Sequence, residues 1–178
     1  MVDKLDTALV EATLGGDLES FGELCSRYYA SMVAIAYSVL DDHQLAEDAA
    51  QETFARGLAN LRGLKSKTKF APWLAAICRN VAKDMVANKR KQISAEDLSK
   101  VADSNSPDVN ILAIRQAIEQ LPASGKELVV LRYYDGLSYE EISAVLGISR
   151  ASINGRLTRA KRKIGKYLQR NGFLENRL

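Results

Sequence analysis

Apolar side chains recur every three or four residues along almost the whole chain, and only three prolines interrupt the pattern. That spacing gathers them on one face of an α-helix and is incompatible with the two-residue alternation of a half-buried strand. The clearest run is LESFGELCSRYYASMVAIAYSVL, residues 18–40, where Leu18, Phe21, Leu24, Cys25, Tyr28, Met32, Ile35 and Val39 fall at helical spacing. Residues 44–61 give a second helix with Leu45, Ala49, Phe54, Leu58 and Leu61 on or near one face. Pro72 suits the first turn of a third, where its missing N–H is not needed. That helix runs from Trp73 to about Lys91, with Trp73, Leu74, Ile77, Val81 and Met85 as its core stripe.

The pattern then stops. ISAEDLSKVADSNSPDVN, residues 93–110, is polar, net acidic and rich in Ser, Asp and Asn. It lacks the apolar stripe needed to offset the entropy of ordering, and reads as a flexible acidic linker. Helical spacing resumes at Ile111, stops at Pro122, and returns until Gly136. The expected fold is all-α, with two small helical domains at 1–92 and 111–178.

Charge is unevenly distributed. Net charge is only +3, but residues 28–55 hold no Lys or Arg while carrying Asp41, Asp42, Glu47, Asp48 and Glu52. Residues 150–170 hold no acid and carry Arg150, Arg156, Arg159, Lys161, Arg162, Lys163, Lys166 and Arg170. An acidic and a basic segment in one chain imply two different partners. The acidic helix cannot favour DNA, and suits docking of a basic protein.

Several function classes lack their residues. No Gly-rich phosphate loop is present, and the only histidine is His43, so a Cys/His zinc site lacks ligands. No catalytic residue, metal or cofactor is expected, and the chain reads as a non-enzyme. Cys25 and Cys78 sit in apolar helical patterns and read as buried, reduced thiols. No secretory leader or membrane-spanning stretch is recognised, which points to the cytoplasm.

The segment SYEEISAVLGISRASINGRLTRAKRKI, residues 138–164, carries the strongest local signal. Ser138 and Glu141 have capping-box spacing. Ile142, Val145 and Leu146 face inward, Gly147 can take the left-handed conformation that ends a helix, and Ser149 can cap the next one. In that next helix Ile153, Leu157, Ala160, Ile164 and Leu168 form one buried stripe. Arg150, Ser152, Asn154, Arg156, Thr158 and Arg159 are left on or beside the opposite face. Two short helices around a tight glycine turn make a helix-turn-helix, whose second helix reads bases near its start and phosphates later. A second candidate surface precedes it. Lys65, Lys67 and Lys69 lie beside Phe70 and Trp73, followed by Arg79, Asn80 and Lys83. Aromatic rings among cations suit single-stranded DNA, because bases stack on rings while cations track phosphates.

Taken in order, these motifs resemble bacterial sigma factors of the extracytoplasmic-function type (ECF, group 4), over almost the whole chain. AEDAAQETF resembles the family's region 2.2, which binds core RNA polymerase. FAPWLAAICRNVAKDMVANKRK resembles regions 2.3 and 2.4, which melt and read the minus-ten element. LPASGKELVVLRYYDGLSYEEISAVLGIS resembles region 4.1 leading into 4.2, and RASINGRLTRAKRKI the minus-thirty-five recognition helix. The resemblance implies polymerase contacts at Glu47, Asp48, Gln51, Glu52 and Phe54. It implies capture of a flipped minus-ten base by the Leu64–Phe70 loop, with DNA contacts at Lys65, Lys67, Lys69, Phe70, Trp73, Asn80 and Lys83. At the minus-thirty-five element it implies Arg132, Arg150, Ser152, Asn154, Arg156, Thr158 and Arg159. It also implies promoter DNA and core polymerase as partners, and an anti-sigma protein as inhibitor. Two positions depart from the family pattern. Pro72 stands where Thr is common, and Asn154–Gly155 replaces a frequent Arg/Lys–Ser/Thr pair. The alternatives are a stand-alone helix-turn-helix regulator, and a protein-interaction module that uses the acidic helix without DNA.

Overall fold

The computed structural model describes residues 2–92, 109–134 and 136–173, and within them every regular element is helical. Four α-helices build the first domain: α1 (Val2–Leu14), α2 (Leu18–Leu40), α3 (His43–Asn60) and α4 (Phe70–Gln92). Two short 3-10 turns, Leu61–Gly63 and Lys67–Lys69, join α3 to α4. The second domain contains α5 (Val109–Glu119), α6 (Ala123–Val129), α7 (Tyr139–Leu146) and α8 (Arg150–Arg170), with a wide π turn, Val130–Tyr134, continuing α6. α5 begins inside the stretch expected as linker; the rest of that stretch, 93–108, lies outside the described residues.

Each boundary has a local cause. Asp17 caps α2 by accepting from the N–H groups of Glu19 and Ser20, and Asp42 caps α3 by accepting from Leu45. Between those helices Asp41 is left-handed, with φ of 53°, so Asp41 and Asp42 alone separate α2 from α3.

The central helix is α2, packed against α1, α3 and α4. Leu24, Met32 and Ile35 are fully buried along it. The buried face of α3 differs from the sequence reading. It consists of Ala46, Ala49, Ala50, Thr53, Phe54 and Gly57, while Leu58 is 38% exposed. Small residues let α3 lie close to its neighbours, and a Cβ at Gly57 would stand 3.0 Å from Leu74 Cδ1. The buried face of α4 is likewise rotated, to Leu74, Ala75, Cys78, Val81 and Ala82, leaving Trp73, Ile77 and Met85 half-buried at its edge.

Cys78 is fully buried and its thiol donates to the Met32 carbonyl at 3.2 Å, while Cys25 is half-buried; both are free. Burial pushes the Cys78 thiol up from an ordinary 9.0 to about 11. Between those values the unfolded thiol ionises and the folded one does not, so the unfolded state holds fewer protons and stability falls as pH rises. The loss between pH 9 and pH 11 is expected to be roughly 2–3 kcal/mol. Denaturant titration of Cys78→Ala beside wild type checks this: the variant should lack that part of the alkaline slope.

The two domains share one continuous core. α6 and the π turn rest on α2, and α7 rests on α4. Leu128, Leu131, Ile142 and Val145 join the cluster that holds Met32 and Leu74. Arg79 Nε donates to Glu127 Oε1 at 2.8 Å, with the Glu127 side chain only 10% exposed. The rings of Tyr37 and Tyr134 stack at 5.9 Å. A cleft of about 390 Å³ opens beside that stack, where Glu119 meets Asp41; their shared hydrogen bond and partial burial push the Glu119 carboxyl up.

Candidate polymerase and DNA interfaces

The acidic surface sits on α3. Asp48 and Gln51 are exposed, and Glu47 is half-exposed beside His43 Nδ1 at 3.6 Å. Glu52 accepts from Arg56 Nε at 2.7 Å, and Arg56 Nη1 reaches Asp84 of α4 at 3.4 Å. Asp48 stands on the rim between two grooves. One, of about 520 Å³, is lined by Gln51, Glu52, Arg56 and Asp84; the other, of about 730 Å³, by Leu40, Leu45, Met85 and Lys89. Acidic and partly exposed apolar side chains thus share this surface. Phe54 follows its place on the apolar face of the helix and not the docking role that the family resemblance implies. It is only 8% exposed and packs in the core, because its position on α3 turns it towards α2 and α4.

The candidate strand-capture surface begins at the loop after α3. Lys65 and Lys69 are exposed, and Lys67 Nζ is held by Glu11 Oε1 at 2.8 Å. Phe70 is a second correction. It is fully buried, its ring 5.9 Å from both Tyr28 and Trp73, so it supports the surface instead of stacking on a base. Trp73 is half-buried, while Asn80 and Lys83 are exposed further along α4. Arg79, read as part of the same basic face, is engaged by Glu127.

The helix-turn-helix forms as its caps dictate. Ser138 and Glu141 make a reciprocal capping box, Gly147 is left-handed with φ of 67°, and Ser149 Oγ accepts from the Ser152 N–H at 3.2 Å. Ile153, Leu157 and Ala160 are buried, with Ile164 and Leu168 half-buried. Arg150, Asn154, Thr158 and Arg159 are exposed; Ser152 and Arg156 are half-exposed. Arg150 is paired with Glu140, and the Thr158 hydroxyl donates to the Asn154 carbonyl at 2.9 Å. Arg156, Arg159 and Lys163 line a groove of about 340 Å³ against Pro122 and Ser124, a cationic channel suited to a phosphate backbone. Arg132 stands apart from this group. It is half-buried, donates to the Leu137 carbonyl at 2.7 Å, and lies 5.3 Å above the Tyr139 ring. It ties the turn that leads into α7.

One juxtaposition was invisible in the sequence. One side of α7 and the turn after it sit over the loop before α4, with Thr68, Lys69 and Pro72 facing Glu140, Ser143 and Gly147 across a groove of about 360 Å³. A Cβ at Gly147 would meet Pro72 at 3.3 Å, so glycine serves both the left-handed turn and this approach.

Residues 24–92 match Sigma-70 region 2, and residues 111–164 match Sigma-70 region 4. The chain is 30% identical to the RNA polymerase sigma-H factor of Pseudomonas aeruginosa, over 95% of this chain and 96% of that protein. The chain belongs to the ECF RNA polymerase sigma factors. It is also similar to the ECF sigma factor SigE of Mycolicibacterium smegmatis, at 32% identity over 93% of this chain and 68% of SigE. CarQ of Myxococcus xanthus is 31% identical over 86% of this chain and 91% of CarQ. The solved structure of CnrH in complex with the cytosolic domain of CnrY shares the fold, with a TM-score of 0.63 and 23% identity over 93% of this chain and 97% of that one.

A sigma factor acts in promoter-directed transcription initiation, and that is the function of this chain. The stand-alone regulator is not favoured, because it would leave the region 2 match without a role. Among the described residues of this sigma factor, no helix is long and apolar enough to cross a membrane.

Proposed function

We propose that this sigma factor divides its work among three surfaces. The rim of α3, with Glu47, Asp48, Gln51 and Glu52, docks on core RNA polymerase. The loop at Lys65–Lys69, with Trp73, Asn80 and Lys83, captures the melted minus-ten strand. The face of α8 around Asn154, Arg156, Thr158 and Arg159 reads the minus-thirty-five duplex in the major groove. The first domain is residues 1–92, and the second starts with α5 at Val109, two residues before the expected limit of 111. No bond-making chemistry by the protein is needed: opening is driven by binding energy to unstacked bases and backbone, so the protein is a cytoplasmic initiation subunit and not an enzyme.

The observation that carries this reading is the placement of Asp48 on an exposed rim between two part-apolar grooves, on the face of α3 away from the buried alanines. An acidic docking face separated from two cationic faces is what a bridge between a protein and DNA requires. An inhibitory protein partner is also proposed. It is supported by CnrH having been solved with the cytosolic domain of CnrY, and by a Bartonella quintana sigma factor having been solved with the anti-sigma factor NepR.

Size-exclusion co-elution with bacterial core polymerase, followed by transcription from a random-sequence template library, tests the whole reading. Stable co-elution and enrichment of templates with a shared two-part element are expected. Tight binding of the free protein to one duplex sequence, without polymerase, would point back to an independent regulator.

A further inference from the structure

α1 has no part in the three surfaces above, yet it holds one of the few buried carboxylates. Asp6 is 4% exposed, and a buried carboxylate is costly unless paired and hydrogen-bonded. Its two oxygens accept from the Arg27 guanidinium and from the Tyr28 hydroxyl, neighbours on α2. Arg27, which also holds Glu23 at 2.9 Å, already joins α1 to α2 through Asp6 without the tyrosine. The Tyr28 bond does something different. It fixes the height and tilt of a ring that lies 5.9 Å from Phe70, whose own ring lies 5.9 Å from Trp73. Five residues further along α1, Glu11 Oε1 accepts from Lys67 Nζ at 2.8 Å. α1 also packs directly on both 3-10 turns that frame the capture loop. The loop is therefore held at Lys67 from its side and at Phe70 from beneath, and both holds originate on α1.

We propose that Asp6 and Glu11 are positioning residues of the strand-capture surface: Asp6 sets Trp73 through Tyr28 and Phe70, and Glu11 sets Lys67. This rests on the strand-capture reading and extends it to residues outside the matched region 2, which starts at residue 24. The two tethers act differently. The aromatic relay fixes geometry at the base-contacting end, where a displacement of about 1 Å can cost up to 100-fold in rate. The Glu11–Lys67 pair is an exchangeable tether: a phosphate that takes Lys67 must displace Glu11. Capture by wild type then releases less net salt than capture by a protein with Lys67 untethered.

The test uses the full-length protein. Tyr28→Phe keeps the ring and removes the hydroxyl; Glu11→Gln is at an exposed site and removes only the charge. Each is assembled with core polymerase on a template enriched by the wild-type holoenzyme, with 2-aminopurine in the minus-ten segment to read opening. Trp73 is the only tryptophan, so its emission in the free protein reports the relay directly. Tyr28→Phe is expected to shift that emission and slow opening about ten-fold, with polymerase co-elution and closed-complex affinity unchanged. Glu11→Gln is expected to steepen the salt dependence of binding to a random single-stranded 20-nucleotide pool by about 0.7 in log–log slope. Unmoved Trp73 emission with wild-type opening, or an unchanged slope, overturns the corresponding tether. Equal losses of co-elution and opening would make α1 a stabilising helix only, which also overturns the proposal. Wild type that binds polymerase yet opens no template would instead refute strand capture itself, with Trp73 emission still reporting on the relay.

Discussion

Asp48→Lys/Glu52→Lys should abolish co-elution with core RNA polymerase while leaving the protein folded. Asp48 is exposed and Glu52 half-exposed, so neither change disturbs the core. The fold should lose little, because surface substitutions usually stay within about 0.5 kcal/mol. Glu52→Lys adds a like-charge pair with Arg56 one turn away, a penalty of about 0.2–0.5 kcal/mol. At the interface the effect is far larger. Like charges brought together in a docked complex cost several kcal/mol, and two reversals weaken binding by on the order of 10³-fold or more. Circular dichroism and the unfolding midpoint serve as the folding control. Retained co-elution by a folded variant would remove α3 as the docking surface.

Arg159→Ala should cost the holoenzyme about 1–3 kcal/mol of promoter binding and relax preference at one position of the upstream element. Arg159 is exposed on α8, away from the buried Ile153–Leu157–Ala160 stripe, so truncation leaves the helix packing intact. Lys166→Ala is the matched control on the same helix. It should weaken enriched and scrambled templates alike and lower the salt slope by about 1, as a phosphate contact does. Filter binding across a salt series separates the two patterns. An Arg159→Ala holoenzyme that still discriminates enriched from scrambled templates would displace base reading from this residue.

What was legible in the sequence was local. The capping box at Ser138 and Glu141, the left-handed Gly147, the Ser149 cap and the α8 stripe all involve residues within a few positions of one another. Each was readable from spacing alone, and each formed. What escaped was set by packing across distance. The alanine face of α3 carries almost no hydrophobicity signal, because small side chains reveal themselves only through how closely a neighbour approaches. Phe70 is an aromatic residue beside charged ones, a pattern that fits a surface and a core equally well; its burial was decided by packing on Tyr28 of α2. Arg132 looks like a free cation until Leu137 and Tyr139 are folded back against it. The α1 tether is hidden for the same reason: Asp6 and Tyr28 are 22 residues apart, and no periodicity links them.

The packing of α7 on α4 has a consequence for reach. The two promoter elements are centred about 25 base pairs apart, or roughly 85 Å at 3.4 Å per step. A compact chain of this length has a radius of gyration of only about 16 Å. While Arg79 holds Glu127 and Gly147 covers Pro72, the two faces proposed to read DNA are carried on one small body and cannot span that distance. On the proposed assignment of the two DNA-reading faces, promoter engagement is a measurement of distance for which this closed arrangement is too short, and polymerase would be what holds the two faces apart.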